Sequence, residues 1–392
     1  MRPSAALRSL AERFDPSVFD APAGRARLRL AVAGEPAWDA IFEDGRRGLR
    51  LEPPHGEPDA ELRADGATWA AIERDLSSAL DAHARGDLVL RRNLHLCVAF
   101  LAATSGSTEP GRLRFETVRT RGRRFSLLEA GTGAPLVMLH GLGGTKASFL
   151  PTVAALSGRY RTIAVDLPGF GESGKPLGAP YDPAFFADSV VSLLDALDLD
   201  RVHLLGHSLG GRAALEVAFE HPERIEGLVL AAPSLAWLCE RPWARYLRLV
   251  RPEIGLLQAA PRPIVEGVLR RLVPEAETPL VQAAFDEFLR TFLTARGRVA
   301  FYAAARQIYL EEPERFWSRL DDLGPESLFV WGRRDEVVPI GFARHVRSHV
   351  PAARHVELGC GHTPQVERPA RFHAAIADFL GSLPSPGLAA VA

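Results

Sequence analysis

The chain shows two patterns of hydrophobic and polar positions, which change at about residue 104. Before that point, short segments alternate apolar and polar residues between turn signals, a pattern that predicts strands. Segments with apolar positions at helical spacing follow them. The predicted strands are 28–32, 49–51 and 60–63, and the predicted helices are 68–74, 76–84 and 94–103. We therefore expect a small α+β unit over residues 1–104.

In the C-terminal part, short runs that are apolar from end to end alternate with longer helical stretches. Such runs are typical of a mostly parallel, doubly wound α/β sheet with helices on both faces. The alternation stops between about 233 and 317, where Val281, Phe285 and Phe288 have helical spacing. A helical insertion there would lie over the carboxyl ends of the strands, where open α/β sheets bind ligands. The predicted strands are 136–139, 162–165, 202–205, 228–231 and 328–331.

The two parts are joined by a stretch of small, polar and turn-forming residues without an apolar face. We place a linker there, at 105–112, and a flexible tail at 384–392. The α/β domain between them covers 113–383 and includes a helical cap at about 233–317.

Length, charge and cysteine content narrow the class of protein. A chain of 392 residues favours two domains, and a net charge of -1 argues against a dedicated nucleic-acid binder. Cys97, Cys239 and Cys360 are odd in number and lack ligand spacing, which favours a reducing cytosol over a disulfide framework or a zinc site. The longest apolar run, 227–239, falls short of the roughly 20 residues that span a bilayer. We expect a cytoplasmic protein without a transmembrane segment, metal, other cofactor or nucleic-acid partner; its oligomeric state stays open.

A candidate nucleophile lies in the segment Gly206-His-Ser-Leu-Gly210, between a predicted strand and a predicted helix. A tight turn at that place would force Ser208 into a strained conformation, and side chains two residues to either side would collide. Gly206 and Gly210 fit this requirement. The alternative is an ordinary glycine-rich turn with a surface serine.

A serine hydroxyl needs a base, and the base needs an acid that orients it. Asp335 follows the predicted strand 328–331, and His362 follows the strand-like run 355–358. The order serine, aspartate, histidine along the chain is that of the α/β-hydrolases. Taken separately, Asp335 could be a turn residue and His362 a solvated loop residue; together with Ser208 they predict a catalytic triad.

The tetrahedral intermediate of acyl transfer also needs hydrogen-bond donors for its oxyanion. Glycines directly after the strand 136–139, including Gly141, would let backbone amides face the pocket. We predict the backbone N–H groups of Leu142 and Leu209 as the oxyanion hole.

On these motifs, the C-terminal part resembles the α/β-hydrolase superfamily, specifically its capped serine hydrolases. The resemblance implies a serine, acid and histidine triad and a helical cap between the sixth strand and the strand before Asp335. Epoxide hydrolases and haloalkane dehalogenases of that superfamily have aspartate at the nucleophile position, so Ser208 argues against both. The matching segments are 140–144, 166–173, 206–211, 331–335 and 361–367.

The N-terminal part, 27–104, resembles sterol-carrier-protein domains on the segments 38–45, 58–69 and 86–96. This resemblance implies an apolar tunnel between sheet and helices that binds lipids or acyl thioesters. The alternative is a small module with a filled core that only packs against the hydrolase. The apolar helix 94–103 fits either reading.

Three functions follow from these observations. The first is hydrolysis of a carboxylic ester of a hydrophobic or lipid-like acyl substrate, through an acyl-enzyme on Ser208. The second is carbon–carbon bond hydrolysis or cofactor-free haloperoxidase chemistry with the same triad. The third is a lipid carrier with a vestigial hydrolase domain. The apolar preference rests on the attached module and on large residues of the predicted cap, which are Trp237, Trp243, Tyr246, Phe285, Phe288, Phe292, Phe301 and Tyr302.

Overall fold

The structure of the chain is a computed structural model. It describes residues 2–45, 48–74, 76–104, 113–120, 122–236, 246, 249, 251–257, 261–272, 279–309 and 312–383. The predicted linker and tail, like Trp237, Trp243 and Cys239, lie outside the described residues.

The N-terminal part forms a five-stranded sheet within the described residues, with the strand order β3-β2-β1-β4-β5. β1 pairs with β4 in parallel and with β2 antiparallel. Its elements are α1 (Ala5–Glu12), β1 (Arg25–Val32), β2 (Trp38–Glu43), β3 (Arg50–Glu52), β4 (Ala60–Ala64), α2 (Gly66–Arg74), α3 (Leu76–Arg85), β5 (Val89–Arg91) and α4 (Leu94–Thr104).

The C-terminal part forms an eight-stranded sheet in the described ranges, ordered β13-β12-β11-β10-β8-β9-β7-β6. Six of these strands run parallel, and the pair β6 and β7 closes one side with antiparallel pairing. The strands are β6 (Arg114–Thr120), β7 (Arg123–Ala130), β8 (Ala134–Leu139), β9 (Tyr160–Val165), β10 (Val202–His207), β11 (Ile225–Ala231), β12 (Ser327–Gly332) and β13 (Arg354–Leu358).

Helices cover both faces of this sheet and fill the interval between β11 and β12. They are α5 (Leu150–Leu156), α6 (Pro183–Ala196), α7 (Leu209–Glu220), α8 (Ile254–Leu257), α9 (Arg262–Leu272), α10 (Pro279–Phe292), α11 (Ala295–Tyr309), α12 (Pro313–Asp321), α13 (Gly341–His349), α14 (Pro364–Glu367) and α15 (Pro369–Ser382). Helices α8 to α11 fall inside the predicted cap, and none of the described residues in that interval forms a strand. No helix in the described ranges is long and apolar enough to cross a membrane.

One hydrophobic core runs from the N-terminal sheet onto one face of the C-terminal sheet. Alternate residues of β8 separate the two faces: Leu136 and Met138 join this shared core, while Val137 and Leu139 join the core of the opposite face. Helix α4 lies within the shared core, and each of its eleven residues is buried. Its apolar sequence therefore reflects contact with protein on all sides.

The structure confirms the strands and helices predicted from the sequence and adds four strands that the pattern did not reveal. In β2, Trp38, Ala40 and Phe42 face the core, and Ile41 breaks the polar pattern of the opposite face, where Asp39 is 1% exposed and pairs with Arg29 at 2.8 Å. β5 has only three residues. β6 forms the edge of the sheet and carries charged residues at exposed positions, and β7, between β9 and β6, begins with two arginines.

Candidate active site

Ser208 occupies the sharp turn between β10 and α7. Its backbone has φ 52° and ψ -113°, a conformation that residues other than glycine rarely adopt. A Cβ atom on Gly206 would overlap the carbonyl of Gly210, and one on Gly210 would overlap the carbonyl of Leu139. The strained turn expected from the sequence is thus present, and it requires glycine on both sides of the serine.

The three predicted triad residues meet at the carboxyl ends of the parallel strands. Ser208 follows β10, Asp335 follows β12 and His362 follows β13. The Nε2 atom of His362 lies 3.0 Å from the Ser208 hydroxyl oxygen, and its Nδ1 atom lies 2.8 Å from Asp335 Oδ2. The other Asp335 oxygen accepts from the amides of Val337 and Val338, each at 2.8 Å. Asp335 is therefore fixed, and it can hold the proton of His362 on Nδ1.

Two further residues hold the loop that carries His362. The carboxylate of Glu367 accepts from the amide of Gly361 at 2.8 Å and from the amide and hydroxyl of Thr363, each at 2.9 Å. His207 Nε2 lies 2.7 Å from the His362 carbonyl oxygen. Burial and the neighbouring His362 lower the pKa of His207 to about 3, so this ring is neutral and donates its N–H to that carbonyl. The backbone on both sides of the triad histidine is thereby fixed.

The predicted oxyanion donors lie beside Ser208. Leu209 is the first residue of α7, where backbone N–H groups have no acceptor within the helix and carry the positive end of the helix dipole. Leu142 and Gly141 line the same cavity as Ser208. This arrangement is consistent with two amides that face one oxygen, and the oxyanion hole stays a prediction.

His140 is not available as a second base. Its Nδ1 atom lies 2.7 Å from the Gly141 carbonyl, and its Nε2 atom accepts from the amide of Leu167 at 3.0 Å. Burial lowers its pKa, which keeps the ring neutral. The residue fixes the loop after β8 by backbone contacts.

A buried ion pair supports the same loop from behind. Asp166 accepts from the ammonium and the amide of Lys146, each at 2.7 Å, and from the amide of Glu172 at 2.8 Å. Burial opposes ionisation of Asp166, but the Lys146 charge, the hydrogen bonds from Lys146 and the nearby His140 together outweigh it and hold the carboxyl pKa at about 2. The loop that carries Leu142 thus rests on a fixed framework.

The triad opens into a cavity of about 250 Å³. Most of its wall is apolar, and helices α10 and α11 contribute three phenylalanines. The described lining residues contain no arginine, lysine, aspartate or glutamate. The lining is Gly141, Leu142, Gly144, Ser148, His207, Ser208, Val281, Ala284, Phe285, Phe288, Phe301, Val337, His362, Thr363, Gln365 and Val366. A neutral, apolar substrate fits this wall better than a charged one.

Gln365 is the exception in that wall. Its side chain is 1% exposed, and neither atom of its amide has a hydrogen-bond partner among the described residues. An unpaired buried amide is costly, on the order of 1–3 kcal/mol, unless a bound molecule supplies the missing partner. Gln365 is therefore a buried polar residue of the wall whose amide has no partner among the described residues.

Sequence reasoning missed the supporting residues. It included 361–367 in the matching segments but gave no role to Gln365 or Glu367, and it gave none to His207 inside the serine motif. The only local signal was Pro364 at the start of α14, which marks a helical turn directly after the triad histidine. Within the described ranges, no group of three or more His, Cys, Asp or Glu residues could hold a metal ion.

Comparison with known proteins gives the family. A model of the alpha/beta hydrolase fold matches residues 134–369, more than half of the chain. The chain belongs to the α/β-hydrolase fold family. The match contains Ser208, Asp335 and His362 and leaves the N-terminal sheet outside it. The expected superfamily is thus confirmed for the C-terminal part, and with it the expectation that the chain is a hydrolase.

Several α/β hydrolases are similar to this one over about 70% of its length. The 2-hydroxy-6-oxononadienedioate/2-hydroxy-6-oxononatrienedioate hydrolase of Cupriavidus pinatubonensis is 32% identical over 70% of this chain and 97% of its own. The 2-hydroxymuconate semialdehyde hydrolase of Pseudomonas sp. is 30% identical over 71% of this chain and 96% of its own. Among solved structures, a bacterial membrane phospholipase A is 27% identical with a TM-score of 0.57, covering 69% of this chain and 86% of its own.

Proposed function

We propose that this α/β hydrolase cleaves a carboxylic ester with a neutral, hydrophobic acyl group, through an acyl-enzyme on Ser208. The observation that carries the proposal is the cavity beside the Ser208 hydroxyl, whose described wall is apolar and free of charged side chains. The phospholipase relative, whose name denotes an ester hydrolase, is compatible with this substrate class.

In the proposed mechanism, His362 Nε2 removes the Ser208 hydroxyl proton while the oxygen attacks the substrate carbonyl. The amides of Leu142 and Leu209 would stabilise the oxyanion that forms. Collapse of this intermediate releases the alcohol, which takes the proton from His362. Water then attacks the acyl-enzyme with His362 as base, and Asp335 holds the imidazole in the required tautomer throughout.

The second candidate is carbon–carbon bond hydrolysis with the same triad. Two relatives with about 30% identity have names that denote hydrolases of a dienedioate and of a muconate semialdehyde, which favours this chemistry. A dienedioate carries carboxylates, and a buried carboxylate needs a cationic partner. The described cavity wall supplies none, so we rank the ester first.

The experiment that separates the candidates compares wild type with Ser208→Ala on 4-nitrophenyl esters of increasing acyl length and on a diketone acid. We expect turnover of the esters that increases with acyl length, and a loss of at least about 10⁴-fold in kcat for Ser208→Ala. Turnover of the diketone acid with inertness toward every ester would establish the second candidate. If Ser208→Ala kept most of the turnover, the serine mechanism itself would be wrong.

We further propose the division of the chain at the linker 105–112, with the N-terminal part acting as a packing module. Helix α4 is buried along its whole length, between its own sheet and the hydrolase. That burial favours a filled core over the apolar tunnel implied by the resemblance to sterol carrier proteins. Lipid binding by this part stays a hypothesis, as does the carrier role with a vestigial hydrolase.

A further inference from the structure

Helix α10 forms one wall of the catalytic cavity. Val281, Ala284, Phe285 and Phe288 recur at helical spacing, so they share one face of the helix, and all four line the cavity with Ser208. Their side chains move with the helix backbone. The position of α10 therefore sets the width of the cavity.

The other side of α10 binds the N-terminal part. Asp286 Oδ2 accepts from Arg91 Nε at 2.7 Å and from the Arg92 amide at 2.8 Å. The next residue, Glu287, accepts from the Leu94 amide at 3.3 Å. These donors belong to the corner between β5 and α4, which we call the β5–α4 corner (residues 91–94).

The carboxylate of Asp286 is well anchored. It is 4% exposed and also accepts from Arg262 of α9 at 2.8 Å. Burial opposes its ionisation, yet the hydrogen bonds from Arg91 and the Arg92 amide and the charges of Arg91 and Arg262 hold its pKa below the usual range. Asp286 thus stays charged at neutral pH and ties α10 to the N-terminal part through charge-assisted hydrogen bonds.

The triad does not depend on these contacts for its own geometry. Ser208, Asp335 and His362 lie on turns after β10, β12 and β13, and their hydrogen bonds do not involve α10. A change at the β5–α4 corner would move the apolar wall, while the hydrogen bonds that join Ser208, His362 and Asp335 stay in place. Replacement of a residue in the β5–α4 corner should therefore change the binding of long acyl groups more than the chemical step.

We propose that the N-terminal part determines the acyl selectivity of the hydrolase by holding α10 in position, with Arg91 and Asp286 as positioning residues. This inference rests on the proposed function only for the acyl nature of the substrate. It assigns the attached module a role in specificity.

The test compares Arg91→Ala with Arg91→Lys and with the control Arg50→Ala. Arg50 lies on β3 at the opposite edge of the same sheet and also forms an ion pair, with Glu43 at 3.3 Å. For Arg91→Ala we expect KM for long esters to change by about fivefold or more, with kcat on the acetyl ester within about twofold of wild type. The KM of Arg91→Lys should lie between those of wild type and Arg91→Ala. Lysine keeps the positive charge but lacks the planar guanidinium that binds a carboxylate with two N–H groups. Arg50→Ala should match wild type.

A second measurement does not require ester turnover and separates a failure of this inference from a failure of the proposed function. Hydrogen exchange of the α10 amides in the full chain should become faster in Arg91→Ala and in Asp286→Asn, but not in Arg50→Ala. Unchanged exchange in both variants, or an unchanged ratio of long-chain to short-chain kcat/KM in folded Arg91→Ala, would overturn the inference. Inertness of wild type toward all esters, with faster exchange in the variants, would overturn only the proposed substrate.

Discussion

The catalytic end of the eight-stranded sheet and the β5–α4 corner lie on either side of α10, and they are assembled in different ways. The triad residues sit on turns whose local sequence forces their conformation, as the backbone of Ser208 at φ 52° shows. The β5–α4 corner depends on pairs far apart in the chain, such as Arg91 and Asp286, and Arg92 in it also has a positive φ of 70°. The turn at the nucleophile is thus set largely by the glycines beside it, whereas the placement of the cavity wall depends on tertiary contacts.

The largest expected effect comes from the catalytic end. Asp335→Asn keeps the shape of the side chain but no longer holds the His362 proton on Nδ1, so kcat should decrease on the order of 10⁴-fold. Kinetics on the best ester, with the midpoint of unfolding measured in parallel, would check this.

The control for that variant is Asp321→Asn. Asp321 also lies beside a histidine, with Oδ1 2.7 Å from His349 Nδ1, but the pair is exposed and outside the cavity. Its replacement should leave kcat within about twofold, as for most surface substitutions. A loss of less than tenfold in Asp335→Asn would show that the aspartate does not orient the base.

A smaller effect on the reaction, but a large one on stability, is expected in the N-terminal part. Leu101 in α4 is 1% exposed within the core shared by the two sheets. Leu101→Ala should lower the free energy of unfolding by about 2–5 kcal/mol. The chemical step on the acetyl ester should stay within about twofold of wild type, because the triad is intact.

Denaturant titration of Leu101→Ala, beside the exposed control Leu177→Ala, checks this prediction. The control removes a side chain that is 53% exposed and should change stability by less than about 0.5 kcal/mol. Because the two sheets share one core, we expect a single unfolding transition in both variants. Two separate transitions, with Leu101→Ala affecting only one, would contradict a shared core.

Sequence patterns predicted an element correctly wherever the residues that determine its conformation lie within that same element. The apolar runs gave the parallel strands, and the glycines around Ser208 gave the strained turn. The periodicity of Val281, Phe285 and Phe288 likewise gave α10.

Long-range pairing explains what the sequence did not reveal. Asp39 is buried in β2 because it pairs with Arg29, and Glu367 supports the triad histidine through backbone groups that no side-chain pattern marks. The apolar helix α4 fitted two interpretations, since the same sequence can line a tunnel or fill a core. The burial of α4 on all sides favours a filled core over a tunnel.

The central claim, that Ser208 is a nucleophile activated by His362, can be tested by labelling with a fluorophosphonate probe followed by peptide mass spectrometry. We predict one probe per chain, attached to Ser208. Ser208→Ala should abolish labelling, and His362→Ala should slow it by at least about 10³-fold. An unlabelled wild-type protein, or a label that persists in Ser208→Ala, would contradict the claim.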